Sequence, residues 1–392
     1  MRQQLLAADQ VLPGPAGRRI HNGAVLLQDG TIRAVGPRAA VEGIASPTAE
    51  RRAFPGGTIL PSLINCHVHL VLDAGRDPVQ AAADATHADL AERAGRLLRS
   101  GVTTIRDLGD RDGLAIQFRD QHTQGPRIVA SGPPITVPDG HCWFLGGATD
   151  GEAELRARVR HNVELGADVI KVMASGGQIT PKSPPMWESQ LTKRELAVVV
   201  DEAAKARLPV AAHAHGSDAI AAAAEAGVAT IEHCTWMQEG GGGYDLRDEV
   251  AEKIAERGIF ACVAWPSDWR AVMNRFGAAR AEAVANRFKW MASHGIRMIP
   301  GTDAGTANSS FDDYAGAFQL YEHLGFDRER IIEMATTTSA EALGLGGTTG
   351  QLTPGLSADL LVTTGDPLSD LANLRQLHLV LVRGLPATAA AR

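Results

Sequence analysis

Thr58-Ile59-Leu60-Pro61-Ser62-Leu63-Ile64-Asn65-Cys66-His67-Val68-His69-Leu70 is an apolar run that ends in two histidines separated by one valine. In an extended strand, residues i and i+2 point to the same face, so His67 and His69 can offer two imidazoles to one point in space. That is half of a metal site. Two satisfied histidines at a strand end are the plainer alternative. The later chain bears on the choice, because it places a His, Lys or Asp at the end of four further strand-like runs.

Outward from that stretch, residues 58 to 345 alternate. Strand-like runs recur at Thr103-Thr104-Ile105, Ile128-Val129-Ala130, Val169 to Met173, Val210 to His213, Thr230 to His233, Ile259 to Val263 and Met298-Ile299-Pro300, which with the opening run makes eight. Helix-like segments lie between them: Glu152 to Leu165, Lys193 to Ala206, Asp218 to Ala226, Asp248 to Arg257 and Ala278 to His294, several followed by Gly at the stop position. This repetition predicts an α/β fold, a (β/α)8 TIM-type barrel with its chemistry at the C-terminal strand ends. A doubly wound open sheet is the alternative, but no Gly-rich dinucleotide fingerprint follows an early strand, and Gly240 to Gly243 reads as a loop.

The two ends of the chain read differently. Ala24 to Gln28 and Thr31 to Val35 flank Asp29-Gly30, a strong hairpin signal, and Asp359 to Thr363 and Leu377 to Val382 are again strand-like. The expectation is one small β-sandwich built from residues 1–57 together with 346–392, flanking a catalytic barrel at 58–345.

Composition narrows the function classes. At 392 residues, with 44% hydrophobic and 21% charged content, the chain has ample core for this plan. No apolar run approaches the ~20 residues that span a bilayer, and Met1 to Asp9 reads as no secretory leader. Cys66, Cys142, Cys234 and Cys262 form no disulfide framework, so reduced thiols in the cytoplasm are expected. The net charge of −7 argues against a nucleic-acid or acidic-membrane partner. The expected partner is a small-molecule substrate, and a homo-oligomer is left open.

Five later residues carry the chemistry. Lys171, inside Val169-Ile170-Lys171-Val172-Met173, would pay heavily for an ammonium pointing into a barrel. Desolvation would favour its free amine, which CO2 can convert into an anionic ligand bridging two metals; a surface lysine on a strand edge is the alternative. His213 and His233 each close a strand. His215 shares the face of His213, so which of these two is the ligand stays open. Asp303, in Gly301-Thr302-Asp303-Ala304-Gly305, is the acid placed to complete the ring, unless it is a turn residue.

His67-Val68-His69, Lys171, His213, His233 and Asp303 stand in the order used by the amidohydrolase superfamily. The wording Gly101-Val102-Thr103-Thr104-Ile105-Arg106-Asp107, Ile170 to Gly177, His213-Ala214-His215-Gly216 and Ile231-Glu232-His233 resembles its imidazolonepropionase-related branch, which includes prolidase-like and ochratoxinase-like metallo-carboxypeptidases. The resemblance covers nearly the whole chain. It implies one divalent metal on His67, His69 and Asp303, a second on His213 and His233, and carboxylated Lys171 and a hydroxide bridging both. Zinc suits that donor set, with manganese or cobalt as alternatives. Asp303 would be the proton carrier. His141 resembles a family histidine that touches the substrate carbonyl, and His215 is a further candidate substrate contact. Trp236 stands where prolidase-like relatives carry a tyrosine, and is expected to meet the substrate or wall the pocket.

The leading expectation is a binuclear metal-dependent hydrolase of an amide, peptide or cyclic-amide C–N bond, acting on a dipeptide or N-acyl amino acid. Lactone or ester hydrolysis uses the same chemistry. Mononuclear deaminases of the superfamily usually carry a Glu three residues after the strand-five histidine, where this chain has Gly216. A catalytically silent barrel would be expected to have lost ligands, and none is missing.

Overall fold

The computed structural model describes residues 2–387. Fifteen strands organise them: β1 Gln3–Val11, β2 Ile20–Gln28, β3 Thr31–Pro37, β4 Glu50–Pro61, β5 Leu63–Val68, β6 Val102–Asp107, β7 Arg127–Ala130, β8 Ile170–Met173, β9 Val210–Gly216, β10 Thr230–Met237, β11 Phe260–Ala264, β12 Arg297–Gly301, β13 Leu360–Thr363, β14 Leu377–Val382 and β15 Leu385–Pro386. The two ends of the chain share one seven-stranded sheet, in the order β15-β14-β13-β4-β1-β2-β3. Asp29 and Gly30, both at positive φ, make the two-residue turn between β2 and β3, where Gln28 pairs with Thr31.

The opening run divides in two. Thr58 to Pro61 pairs with β13 in the terminal sheet, whereas Leu63 onward pairs with β6. Proline has no N–H to continue a ladder, and Ser62 turns its hydroxyl onto that of Thr103. The handover carries the chain from one sheet to the other five residues before His67.

β5 to β12 are the eight strands expected of the middle, and every pairing among them is parallel. They hydrogen-bond as two runs, β5-β6-β7 and β8-β9-β10-β11-β12. Single parallel bridges stand at both gaps, Ile135 with Val172 and Val68 with Ala304. The intervening helices form for local reasons. Thr86 with Asp89 and Thr192 with Glu195 close capping boxes on helices His87–Arg99 and Lys193–Lys205. Gly166 and Gly227 end two others in the left-handed conformation. Leu196, Val199 and Ala203 face inward at helical spacing, joining the large apolar cluster that surrounds the strands.

One polar network crosses this core. Arg106 on β6 donates from Nε to the Cys66 carbonyl at 2.8 Å, from Nη1 to Thr230 Oγ1 at 3.0 Å and from Nη2 to Glu232 Oε1 at 2.8 Å. Arg106 and Glu232 are both buried, so each depends on the other to offset its desolvation. Arg106→Met should therefore lower the stability measured by urea unfolding by about 3–5 kcal/mol, because it leaves a carboxylate without its cation in the core. A loss below about 1 kcal/mol, the size of a surface pair, would show that the network does not brace these strands.

Candidate active site

The C-terminal ends of β5, β8, β9, β10 and β12 open into one cavity of about 790 Å3, within the size range of small-molecule sites. His67, His69, Lys171, His213, His233 and Asp303 all line it. His67 is the last but one residue of β5, and His69 lies just past the strand end. Asp303 follows β12 in a left-handed conformation, with its N–H on the His67 carbonyl at 2.9 Å.

Three donor atoms converge here. His67 Nε2 lies 3.3 Å from His69 Nε2, and Asp303 Oδ1 lies 3.3 Å from the first and 3.2 Å from the second. The far side of each ring shows where its proton sits. His69 Nδ1 is 3.1 Å from the Gly109 carbonyl, which can only accept, and His67 Nδ1 is 3.0 Å from Glu232 Oε2. Both neutral rings thus carry hydrogen on Nδ1 and turn an Nε2 lone pair toward the carboxylate oxygen. Lone pairs at such distances repel unless a cation lies among them, and bonds of about 2.0–2.1 Å to one ion produce this spacing. Burial opposes charge on His69, but the hydrogen bond and charge of Asp303 outweigh it and raise its pKa, so a proton competes for the same place. Burial, with the Lys171 charge second, pushes His67 down to about 4.

A second cluster adjoins the first. His213, His215 and His233 bring ligand atoms within 4.8 Å of one another. The His67 and His233 ring centroids are 5.1 Å apart, which joins the clusters. His213 Nε2 lies 3.0 Å from the Gly176 carbonyl and so carries the proton, leaving Nδ1 as its lone pair. His215 is stacked on His233 at 4.5 Å, with Nδ1 2.8 Å from Thr235 Oγ1. Both His213 and His215 reach the cluster. Burial pushes His233 down to about 3.

Lys171 is 1% exposed, and its Nζ has no hydrogen-bond partner. Burial holds its amine below the usual lysine range. His141 also lines the cavity, its ring 4.6 Å from that of His213. The Cys142 N–H donates to Thr180 Oγ1 at 2.7 Å, and the same hydroxyl lies 3.0 Å from His141 Nδ1. Gly177 packs so closely that a Cβ there would come within 2.3 Å of this ring.

Trp236 is the correction. It is fully buried, does not line the cavity, and meets Trp290 edge-on at 4.9 Å. β10 loses its alternation after His233, with His233, Cys234 and Trp236 all at positive φ and a register shift before Met237. Thr235 and Tyr244 line the cavity instead. The residues that sequence reasoning passed over are Arg106 and Glu232. Their signal was opposite charges in two apolar strands. Glu232 also groups with Cys262 and His67 as donor atoms, but Arg106 hydrogen-bonds its Oε1, and its Oε2 lies 3.0 Å from His67 Nδ1. That places it behind a candidate metal ligand, where it can orient the ring.

The model of the amidohydrolase family matches residues 58–385. The chain is 28% identical to ochratoxinase of Aspergillus niger over 94% of this chain and 82% of that protein. It is 24% identical to imidazolonepropionase of Mesorhizobium japonicum over 88% and 86%. Among solved structures, a Xaa-Pro dipeptidase with methionine bound in its active site superposes with a TM-score of 0.84 at 25% identity, covering 98% of this chain and 99% of that one. The ochratoxinase crystal structure does so with a TM-score of 0.84 at 26% identity, covering 98% and 95%. With that match across most of its length and these neighbours, the chain belongs to the amidohydrolase family and is a hydrolase acting on carbon–nitrogen bonds.

Proposed function

We propose that the protein is a binuclear metal-dependent amidohydrolase that cleaves the amide bond of a small substrate such as a dipeptide or N-acyl amino acid. The observation that carries this reading is the convergence of three lone pairs from His67, His69 and Asp303 beside a second histidine cluster. His67, His69 and Asp303 would hold one ion. His233, with His213 or His215, would hold the other.

Lys171 supports the two-ion form of the reading. A buried amine with no acceptor is costly, and an ammonium there would repel cations at both clusters. Condensation of the neutral amine with CO2, with loss of one proton, would give a carbamate, an anionic oxygen donor beside both clusters.

When bound, two divalent ions, zinc in this reading, acidify a water and polarise the scissile carbonyl. Asp303 accepts a proton from the attacking water and passes it to the leaving amine nitrogen, which balances amide and water against acid and amine. His141 offers its Nε2–H to the substrate carbonyl oxygen, and burial, which pushes its pKa down to about 3, keeps the ring neutral. His215, held by Thr235, is either the alternative ligand or a substrate contact. The deaminase alternative lacks its shuttle for a steric reason: a Cβ at Gly216 would lie 2.2 Å from the Trp187 carbonyl oxygen.

The same reading takes β5 to β12 as one (β/α)8 barrel at 58–345 and the terminal strands, residues 1–57 with 346–392, as a small sandwich. One apolar cluster drawing on β1, β2, β3, β4, β13 and β14 supports the latter. Four free, buried cysteines favour a cytoplasmic setting, and no helix among the described residues is long and apolar enough to cross a membrane.

Elemental analysis after loading with zinc and bicarbonate should find about two ions per chain, one for each donor cluster; a single ion would defeat the binuclear form. Lys171→Ala should fold and lose most activity, with partial rescue by short carboxylic acids that fill the vacated space. A variant of undiminished rate would remove the carbamate. Asp303→Asn should lower kcat by about 10²–10⁴-fold, because an amide cannot accept the proton. A near-normal kcat would sink that role.

A further inference from the structure

The helix Ala278–Ser293 places one buried cation on the wall of the cavity. Arg287 is 2% exposed, and Nη1 donates to the Thr235 carbonyl at 2.9 Å, while Nε has no partner. Its guanidinium carbon lies 4.9 Å from the Tyr244 ring centroid and 5.2 Å from that of Phe288. Among the described residues no carboxylate comes within 4.0 Å of it. Arg106, the comparable buried guanidinium, has Glu232 as its counter-ion. A desolvated cation without an anion costs several kcal/mol, and neither backbone carbonyl nor aromatic face supplies a negative charge.

The surroundings point the same way. Tyr244 lines the cavity beside Arg287, and Arg275 and Arg280, which also line it, likewise have no carboxylate within 4.0 Å among the described residues. The approach is positive, as suits an anionic ligand. Thr235 accepts from Arg287 through its carbonyl and meets His215 Nδ1 through its hydroxyl. A charge held by Arg287 is therefore one residue away from the second histidine cluster. In an N-acyl amino acid or dipeptide, the free carboxylate sits on the Cα bonded to the scissile nitrogen, so carboxylate and reacting carbonyl are neighbours too.

We infer that Arg287, with Tyr244 beside it, anchors the free α-carboxylate of the substrate's amine-side residue, which makes the enzyme one that removes a C-terminal amino acid from a small acyl or aminoacyl group. This rests on the amide-hydrolase reading above. Arg287 binds the substrate and takes no part in the proton transfers.

The test uses N-methanesulfonyl-L-amino acids, whose sulfonamide is not cleaved, against their matched carboxamides, with apolar, aromatic, basic and proline side chains. Calorimetry on the full-length, zinc-loaded protein should find the carboxylate of at least one pair bound about 30-fold or more tighter than its amide. Arg287→Met should erase that preference while leaving the amide's Kd within about threefold, as removal of a single ionic contact requires. Arg287→Lys should keep part of it, since a point charge replaces a fork. The thermal midpoint of Arg287→Met should hold or rise, because an unpaired buried charge is removed; a fall would mark a structural arginine. The inference is overturned if no pair binds, if wild type does not distinguish the pairs, or if either variant keeps the full preference. Turnover of N-acetyl amino acids separates the two readings. Preference without turnover would leave the anchor and remove the hydrolase; turnover without preference would do the reverse.

Discussion

The site depends on a carboxylate that never reaches it. Glu232 is fully buried beneath the cavity, with Arg106 on one oxygen and His67 Nδ1 on the other. Burial opposes its charge, but Arg106 first, and then His67, outweigh burial and hold the carboxyl well below its ordinary range. It is therefore an anion 3.0 Å from His67 Nδ1, which favours a hydrogen on that nitrogen. One charge thereby favours the His67 tautomer whose Nε2 lone pair faces the cavity. The same three residues tie β5, β6 and β10 together, so the register of the strands and the tautomer of a ligand are set by one interaction.

Around that anchor the molecule carries arrangements that stability alone would not select. Asp303, His233 and Cys142 sit in left-handed conformations, each costing about 1–3 kcal/mol. The Lys171 amine and the Arg287 Nε are buried without acceptors. These five residues line one cavity, and the surrounding strands and helices bury a continuous apolar cluster. The division follows from the architecture: apolar layers hold the strands, and the strand ends are left to carry groups whose partners are a ligand's.

What the sequence disclosed followed the regularity of the backbone. Period-two alternation put His67 and His69 on one face, and the Asp29-Gly30 turn and the glycines ending helices were read from local conformational preference. Lys171 and Asp303 were legible because a charge at the end of an apolar run has few structural uses. Trp236 was misread because the count from His233 assumes a regular strand, and three left-handed residues in β10 break the period. The choice between His213 and His215 stays open in three dimensions for the reason that it was open in one: both lie on the inner face of β9. Arg287 gave no signal, since its helix also carries Arg280 and only packing shows which of the two is buried.

That last contrast bears on how such a molecule can change its substrate. The proposed metal donors sit on or just past strand ends and are braced from below, by Glu232 for His67 and by the Gly109 and Gly176 carbonyls for His69 and His213. Arg287 sits on a helix, and Tyr244 follows β10 in an irregular stretch. Moving a ligand would disturb strand register, whereas moving an anchor requires only a change of side chain on a helix face or in a loop. The proposed metal donors and the proposed anchor therefore rest on different elements, with Thr235 touching both Arg287 and His215. If Arg287 is the anchor, a single substitution there would alter which charge the cavity accepts without touching the proposed metal donors.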